Sequence, residues 1–517
     1  MKLFLTLIFS ATLFYASFSQ IPPIQWQKTF GGSSDERIKS SQQTSDGGYI
    51  LAGYSNSKDG DLTTNKGDND YWVVKINSLG VIEWQKTYGG SGADLAYSVI
   101  QTSDGGYMVG GFSNSNNGDV TGSHGNNDYW LLKLNSTGTI VWQKTYGGSD
   151  DDVFSTIKQT KDGGYIVVGY SKSRDGDVTG NHGNYDSWVL KLSNQGNIEW
   201  QKSYGGYDTE TAFWIEQTSD GGYIFTGYSN SNSGDVTGNH GDFDFWVVKV
   251  NYAGTIEWQK SLGGSGSDAS YNIQQTKEGG YIVAGTSNSI NNGDVSGSHG
   301  SDDFWVVKIN YAGTIEWQKS YGGNNSDISQ SIKQTQDGGY IVAGLSKSNN
   351  GDLTNNYGGY DSWIIKINYA GTIEWQKSFG DSGEDVTFVV QQTKDGQYFA
   401  SGYTYARDTK TNLIKTNSDF WVFKLGFNTP TNDLFSNNLI KLFPNPTTDL
   451  LTVEINEPTA TEIIITDVQG KIVNRENLII GQLKKEFSVS NLHDGIWFVS
   501  ILKNEQTISS LKFVVQR

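Results

Sequence analysis

The side chains best suited to chemistry are acids and imidazoles that recur in four long loops. Each loop places a His five residues after an Asp, and a second Asp four residues after that His. The four sets are Asp119, His124 and Asp128; Asp177, His182 and Asp186; Asp235, His240 and Asp244; and Asp294, His299 and Asp303. Carboxylates suit a hard cation, so the pattern permits a metal site, with calcium ahead of zinc. The simpler alternative is that each Asp caps a turn by accepting backbone N–H groups, with the His as its partner.

Three of the seven repeats have an aromatic residue directly before the Asp that ends this long loop. They are Tyr185, Phe243 and Tyr360, whereas other loops have polar residues there. An exposed aromatic ring beside carboxylates and amides can hold a sugar through apolar contact and hydrogen bonds. We therefore predict these three residues as ligand-binding residues. The alternative is that the rings only cover their own loops.

These loops belong to a repeat. A WQK tryptophan recurs at intervals of 58 residues, with one interval of 59, at Trp26, Trp84, Trp142, Trp200, Trp258, Trp317 and Trp375. Each repeat divides into four short β-branched and aromatic runs separated by turn residues, and the third run is apolar at nearly every position. Four-stranded sheets that are repeated seven times and buried on both faces predict an all-β, seven-bladed β-propeller over residues 20–427.

The two ends of the repeat region predict how the propeller closes. The region opens with an orphan fourth strand around Trp26 and finishes with a third strand near Leu425, without another WQK. The N-terminal strand therefore completes the seventh blade, which leaves no open sheet edge. In such blades the short hairpins lie on one face and the long loops on the other, so we place function on the loop face.

A second acidic series follows the glycines that begin each blade, and we expect it to ring the channel mouth on the loop face. Its members are Glu36, Asp94, Asp152, Glu210, Asp268, Asp327 and Asp385. Paired carboxylates can hydrolyse glycosides, but a symmetric ring does not give the acid and the base different environments. The chain also lacks the GxSxG, HExxH and GxxxxGK motifs. We assign no catalytic residue, and calcium is the one cofactor considered.

Composition narrows the class of partner. Among 517 residues, 38 Lys and Arg stand against 55 Asp and Glu, which gives a net charge of −17. Such a charge disfavours nucleic acid and anionic membranes as partners and leaves sugars, proteins and cations. The absence of cysteine excludes disulfides and thiolate metal sites.

The two ends of the chain indicate export. Residues 1–19 have a basic start, an apolar run and small residues before Gln20, as in a cleaved signal peptide. We predict no transmembrane span, because no segment reaches about 20 apolar residues. A polar linker over residues 428–438 leads to residues 439–517, whose alternating apolar runs predict a small antiparallel β-sandwich.

This last segment closely resembles the type A C-terminal sorting domain of the type IX secretion system of Bacteroidota. The residues that carry the resemblance are Pro444, Asn445, Pro446, Asp467, Gly470, Lys471, Gly495 and Lys512. The resemblance implies export across the outer membrane with two partners, the secretion machinery and its C-terminal signal peptidase. The repeats resemble the SDGGYIVAG-type propeller repeats of surface proteins from the same bacteria, some of which are labelled endoglucanases.

Together these observations predict a secreted or cell-surface protein that binds a glycan or a protein, or acts in adhesion, through the long propeller loops. Two alternatives stay open at this point. One is a polysaccharide hydrolase of the endoglucanase type, and the other is a calcium-stabilised structural protein of the surface.

Overall fold

A computed structural model describes residues 21–405, 417–426, 439–467, 471–479, 481–503 and 506–517. The predicted signal peptide and linker, together with Gly470 of the sorting motif, lie outside these residues. The chain divides into two compact units, residues 1–426 and 427–517. No helix among the described residues is long and apolar enough to cross a membrane.

The described part of the first unit forms seven antiparallel sheets of four strands, so the prediction of a seven-bladed propeller is confirmed. We call the strands of a blade a to d, from the inside outwards. Blades 1 to 3 consist of β2 (Glu36–Gln43), β3 (Tyr49–Ser55), β4 (Asp70–Ile76) and β5 (Ile82–Tyr88); β6 (Asp94–Gln101), β7 (Tyr107–Ser113), β8 (Asp128–Leu134) and β9 (Ile140–Tyr146); and β10 (Asp152–Gln159), β11 (Tyr165–Ser171), β12 (Asp186–Leu192) and β13 (Ile198–Tyr204).

The remaining blades repeat this order. Blades 4 to 6 consist of β14 (Glu210–Gln217), β15 (Tyr223–Ser229), β16 (Asp244–Val250) and β17 (Ile256–Leu262); β18 (Asp268–Gln275), β19 (Tyr281–Ser287), β20 (Asp303–Ile309) and β21 (Ile315–Tyr321); and β22 (Asp327–Gln334), β23 (Tyr340–Ser346), β24 (Asp361–Ile367) and β25 (Ile373–Phe379). Blade 7 consists of β26 (Asp385–Gln392), β27 (Tyr398–Thr404), β28 (Asp419–Leu425) and, as its strand d, β1 (Ile24–Phe30).

The first strand of the unit thus serves the last blade. β1 pairs antiparallel with β28, with Lys28 opposite Val422 and Phe30 opposite Phe420. Blade 1 also packs directly on blade 7, where the Ser41 and Ser401 hydroxyls lie 2.8 Å apart. The N-terminal strand thus completes the seventh sheet, and contacts such as this one join that sheet to the first.

Aromatic pairs from the c strands join neighbouring blades at five of the seven junctions. The Tyr71 ring packs 4.5 Å from the ring of Trp130 in the next blade, and its hydroxyl donates a 3.0 Å hydrogen bond to the Trp130 carbonyl oxygen. The Trp130 indole N–H in turn donates to Gln143 of its own WQK sequence at 2.9 Å. Trp130 is fully buried, and these contacts link the core of its blade to the preceding blade and to its own outer strand.

A β-bulge in every strand a shapes the inside of the ring. In blade 2 the pairing of β6 with β7 shifts between Ala96 and Ser98, which leaves Tyr97 as the extra residue. Gly111 lies opposite, and a Cβ there would collide with the carbonyl oxygen of Leu95. We call the seven extra residues the bulge residues: Lys39, Tyr97, Ser155, Phe213, Tyr271, Gln330 and Phe388.

The second unit has two sheets, in agreement with the predicted sandwich. One is ordered β29 (Ile440–Phe443), β30 (Leu450–Ile455), β33 (Lys484–Ser488), and the other β32 (Ile472–Asn477), β31 (Glu462–Thr466), β34 (Gly495–Lys503), β35 (Gln506–Val515). Leu451, Trp497 and Phe513 are buried in its core. The Asn445 side chain ties the Pro444–Pro446 segment to the last strand, because it donates to the Lys512 carbonyl oxygen at 3.1 Å and accepts from the Val514 N–H at 2.9 Å.

The closure makes a testable prediction about Trp26, whose ring lies 6.3 Å from Tyr49 of blade 1 and 6.1 Å from Phe399 of blade 7. Trp84 occupies the same position in blade 1, but its strand is tethered by a hairpin. We expect Trp84→Ala to cost roughly 3 kcal/mol of unfolding free energy. Trp26→Ala should cost distinctly more, because β1 can detach from the sheet. Denaturant unfolding of both variants checks this, and equal losses would contradict closure by β1.

Candidate ligand-binding site in the central channel

All seven blades line one cavity of about 260 Å³ in the middle of the propeller. Every bulge residue contributes to its wall, so the bulges point into the channel. Four of these residues are aromatic: Tyr97, Phe213, Tyr271 and Phe388. The cavity is therefore an aromatic chamber that the repeat builds from a position whose residue type varies between blades. The sequence prediction missed it, although the recurring strand-b glycine was a visible sign of the bulges.

Trp214 also lines the cavity, one residue beyond the bulge in β14. Two ammonium groups lie over its indole, Lys158 Nζ at 3.9 Å and Lys333 Nζ at 4.6 Å from the ring centroid. The indole N–H donates to Glu216 Oε1 at 3.2 Å, and Lys333 Nζ lies 3.5 Å from the same oxygen. These contacts hold the ring in place on the hairpin side of the bulge residues.

Lys39 is the one charged side chain among the described residues that line the cavity. Its Nζ lies 4.0 Å from the ring centroid of Phe388 and 5.5 Å from that of Tyr97. Burial, together with a smaller effect of the nearby Arg37 charge, lowers the pKa of Lys39 to about 8. An ammonium group held between two rings in this way is stabilised by cation–π attraction.

A continuous aromatic path leads from the cavity to the loop face. The Phe213 ring lies 6.4 Å from Tyr170 and 5.5 Å from Tyr228. Tyr170 then contacts Tyr185 at 5.5 Å, and Tyr228 contacts Phe243 at 4.9 Å. Two of the three predicted ligand-binding residues thus join the channel through rings in their own blades. Each also covers part of its own blade, as the alternative interpretation expected.

Further aromatic and cationic side chains line the rest of the channel mouth. Tyr360, the third predicted aromatic, lies in blade 6, where Lys347 Nζ stands 4.1 Å from its ring centroid. In blades 1 and 7 the Arg37 guanidinium lies 5.0 Å over the ring of Tyr403 and donates a 3.0 Å hydrogen bond to the Tyr405 hydroxyl. The mouth therefore combines rings with cations on two sides.

The loop acids and histidines act mainly on the backbone. The first Asp of each set accepts an N–H from the glycine that follows strand d, as Asp119 does from Gly89 at 3.1 Å. The second Asp accepts the N–H of its own His, at 2.6 Å for Asp128 and His124. Equivalent bonds involve Asp177, Asp186, Asp235, Asp244, Asp294 and Asp303.

The imidazoles contact the second Asp of the same loop unequally. The Nδ1 to Oδ2 distance is 2.7 Å for His182 and Asp186 and 2.8 Å for His240 and Asp244. It is 3.7 Å for His124 and 3.8 Å for His299 with their aspartates. Within the described parts of the chain, no three His, Asp or Glu side chains are grouped as a metal site. The hydrogen bonds present correspond to the capping interpretation of these residues.

The expectation that the second acidic series rings the channel mouth is wrong. Asp94 and its equivalents are buried between blades, with 2% or less of their surface exposed. Asp94 accepts hydrogen bonds from the Ser115 hydroxyl at 2.9 Å, from the Gly90 N–H at 2.7 Å and from Ser113. These donors satisfy the carboxylate inside the protein, so it faces no substrate.

Each buried acid of this series adjoins the second loop Asp of the preceding blade. In blades 2 and 3, Asp128 Oδ1 and Asp152 Oδ2 flank Gly147 so closely that a Cβ on this glycine would collide with both. Asp128 Oδ1 is buried without a hydrogen-bond partner among the described residues. Burial, supplemented by the Asp128 charge, raises the pKa of Asp152 to about 6, and burial also raises the pKa of Asp128.

These pairs predict an unusual dependence of stability on pH. A carboxyl group with a raised folded-state pKa stabilises the fold below its unfolded pKa, and this contribution is lost as pH rises through about 6. Asp128→Asn keeps the acceptor for His124 and removes one charge. We expect it to raise the melting temperature at pH 7.5 by roughly 1–3 °C, with a smaller gain at pH 4.5.

Asp46→Asn is the matched control for this substitution. Burial raises the pKa of Asp46, but hydrogen bonds from Thr44, Lys75 and the Gly48 N–H together outweigh it and lower the pKa to about 2. Its stabilising contribution is therefore present at both pH values, and we expect its loss to lower the melting temperature at both. If a cation bridged Asp128 and Asp152 instead, Asp128→Asn would destabilise the protein and abolish any stabilisation by calcium.

Solved structures resemble the chain only loosely. Sqt1 from Chaetomium thermophilum aligns with 77% of this chain and 97% of its own at 9% identity and a TM-score of 0.41. BBS1N in complex with ARL6DN aligns with 79% and 98% at 9% identity and a TM-score of 0.42. The extracellular domain of the putative one-component system BT4673 from B. thetaiotaomicron aligns with 93% and 68% at 10% identity and a TM-score of 0.28. No curated protein matches the chain in sequence.

The C-terminal unit has a clear relationship. The sequence profile of the secretion system C-terminal sorting domain family matches residues 441–516. This range covers the described sandwich strands from β30 to β35 and the Asn445 contacts with the last strand. The motif residues that suggested the resemblance all lie within this range. The C-terminal unit is a type IX secretion system sorting domain, which makes the chain a secreted or cell-surface protein that engages the type IX machinery.

Proposed function

We propose that this exported protein binds a glycan at the loop face of its propeller, with the aromatic channel as the binding site. In this proposal residues 1–19 direct the first export step and are removed, and the propeller is the part that acts outside the cell. The observation that carries the proposal is the continuous path of rings from Tyr185 and Phe243 through Phe213 into the cavity.

The chemistry of this path suits sugars. Aromatic faces attract the C–H faces of a sugar ring, and polar groups at the ring edges orient its hydroxyls. Tyr170, Tyr228 and Tyr271 bring hydroxyl groups, while Ser155 and Gln330 add polar atoms to the cavity wall. With a volume of about 260 Å³, the cavity suits one sugar unit, and the rest of a chain would leave through the mouth.

Hydrolysis and a structural calcium role have less support. No described residue that lines the cavity is a carboxylate, whereas glycoside hydrolysis generally uses two. The acids that could have formed a catalytic ring are buried between blades. The loop carboxylates bind backbone N–H groups. Binding is therefore the function that the geometry favours, with a protein ligand as the competing partner.

A second aromatic surface, on the hairpin face, is an alternative candidate for the glycan-binding site. A groove of about 670 Å³ on the hairpin face, between blades 5 and 6, is lined by Tyr311, Trp317 and Tyr369. Tyr252, Tyr311 and Tyr369 are about three-quarters exposed, at 75%, 77% and 75%. These residues could also hold a sugar, so glycan binding alone does not locate the site.

Two triple variants of the full chain test the location. We expect Tyr185, Phe243 and Tyr360 replaced together by Ala to weaken the strongest glycan-array signal at least tenfold, because the channel mouth loses its rings. Replacing Tyr252, Tyr311 and Tyr369 together by Ala should leave the signal intact. Melting temperatures confirm that both variants fold. The reverse pattern would move the site to the hairpin face, and an array without signals would contradict glycan binding.

A further inference from the structure

The charge of the channel differs from that of the protein as a whole. The chain has a net charge of −17, yet Lys39 is the one charged group that lines the cavity within the described part of the chain. Among the described residues no hydrogen bond or ion pair joins its ammonium group to another side chain, and its close neighbours are the rings of Tyr97 and Phe388. Lys39 is partly buried and has no carboxylate in contact among the residues that the structure describes, so its ammonium group can pair with an anion that a ligand supplies.

The channel on either side of the cavity is also cationic. Towards the hairpin face, Lys158 and Lys333 lie over Trp214, and Lys333 Nζ also lies 3.5 Å from the one carboxylate there, Glu216. Towards the loop face, Arg37 lies over Tyr403. Cations in this group outnumber carboxylates by four to one. Partial enclosure strengthens their attraction for an anion relative to that of surface lysines.

The rim of the channel carries charges of both signs, because Lys172 and Lys347 lie over the rings of Tyr185 and Tyr360 while carboxylates stand beside them. Asp151 accepts a 2.8 Å hydrogen bond from Asn127, and Asp302 accepts one of the same length from Ser326. These carboxylates stand near the mouth, where their charges raise the pKa values of Tyr185 and Tyr271, after the larger effect of burial. The cavity of about 260 Å³ has room for one sugar unit, so an acidic unit at the end of a chain can enter it while the rest of the chain leaves through the mouth.

We propose that the cavity recognises an acidic terminal sugar, a hexuronic acid whose carboxylate pairs with Lys39 while its ring packs against Phe213 and Tyr271. This inference rests on the proposed glycan-binding function and specifies its ligand class. A charge-assisted hydrogen bond to a carboxylate is about twice as strong as a neutral one, so the pair provides selectivity over the corresponding neutral sugar.

The probes are two matched pairs of methyl glycosides: methyl β-D-glucuronide with methyl β-D-glucoside, and methyl α-D-galacturonide with methyl α-D-galactoside. Each pair differs only in having a carboxylate or a hydroxymethyl group at C6. Calorimetric titration of the full chain should show at least a tenfold preference for the acid in one pair. The preference should weaken with added salt, because it is electrostatic.

Three variants locate the source of the preference. Lys39→Met keeps the contacts with both rings and removes the charge, so it should abolish the preference for the acid while neutral glycosides still bind. Lys39→Arg should retain most of it. Lys86→Gln in the outer strand β5 should leave it unchanged. Melting temperatures verify that each variant folds.

The outcomes separate the two proposals. Equal binding of acid and neutral glycosides would overturn the acidic-ligand inference and leave glycan binding in place. Persistence of the preference in Lys39→Met would also overturn it. Stronger binding of methyl β-D-glucoside 6-sulfate than of the glucuronide would replace the carboxylate with a sulfate ester. If none of the glycosides binds and the array is also blank, both proposals fall.

Discussion

The inner surface of the propeller depends on the close approach of the strand-a and strand-b backbones in each blade. In every blade a strand-b glycine lies so near the carbonyl oxygen of strand a that a Cβ would collide with it, as at Gly111 and Leu95. The absent side chain lets strand a gain one residue, and the bulge turns that residue into the channel. Seven repetitions of this local arrangement bring seven side chains to one cavity, although they come from segments about 58 residues apart.

This arrangement separates stability from recognition. The Trp of strand c, the Gln of WQK and the buried acid pairs recur in nearly every blade because they join blades to one another. The bulge residues contact the channel, so their types can change without disturbing those junctions. They range from Lys39 to Phe213 and Gln330 within one chain. Secretion is directed by the sorting domain, which belongs to a separate unit of the chain.

The fold was predictable because the same pattern of strands and turns recurs seven times in the sequence. The Trp spacing, the apolar third strand and the orphan N-terminal strand each lead to the closed ring that β1 and β28 form. The cavity was harder to predict, because the sequence of strand a does not show which of its residues is the extra one in the bulge. Asp94 was misplaced, because its donors Ser113 and Ser115 lie about 20 residues away in sequence and make its burial tolerable.

The most direct test of the account is the fluorescence change of the protein on saturation with its strongest array ligand. Trp214 lines the channel cavity and Trp317 lines the groove on the hairpin face. If the channel is the binding site, the change should disappear in Trp214→Phe and persist in Trp317→Phe. A change that disappears in Trp317→Phe and persists in Trp214→Phe would contradict the account and place the ligand on the opposite face.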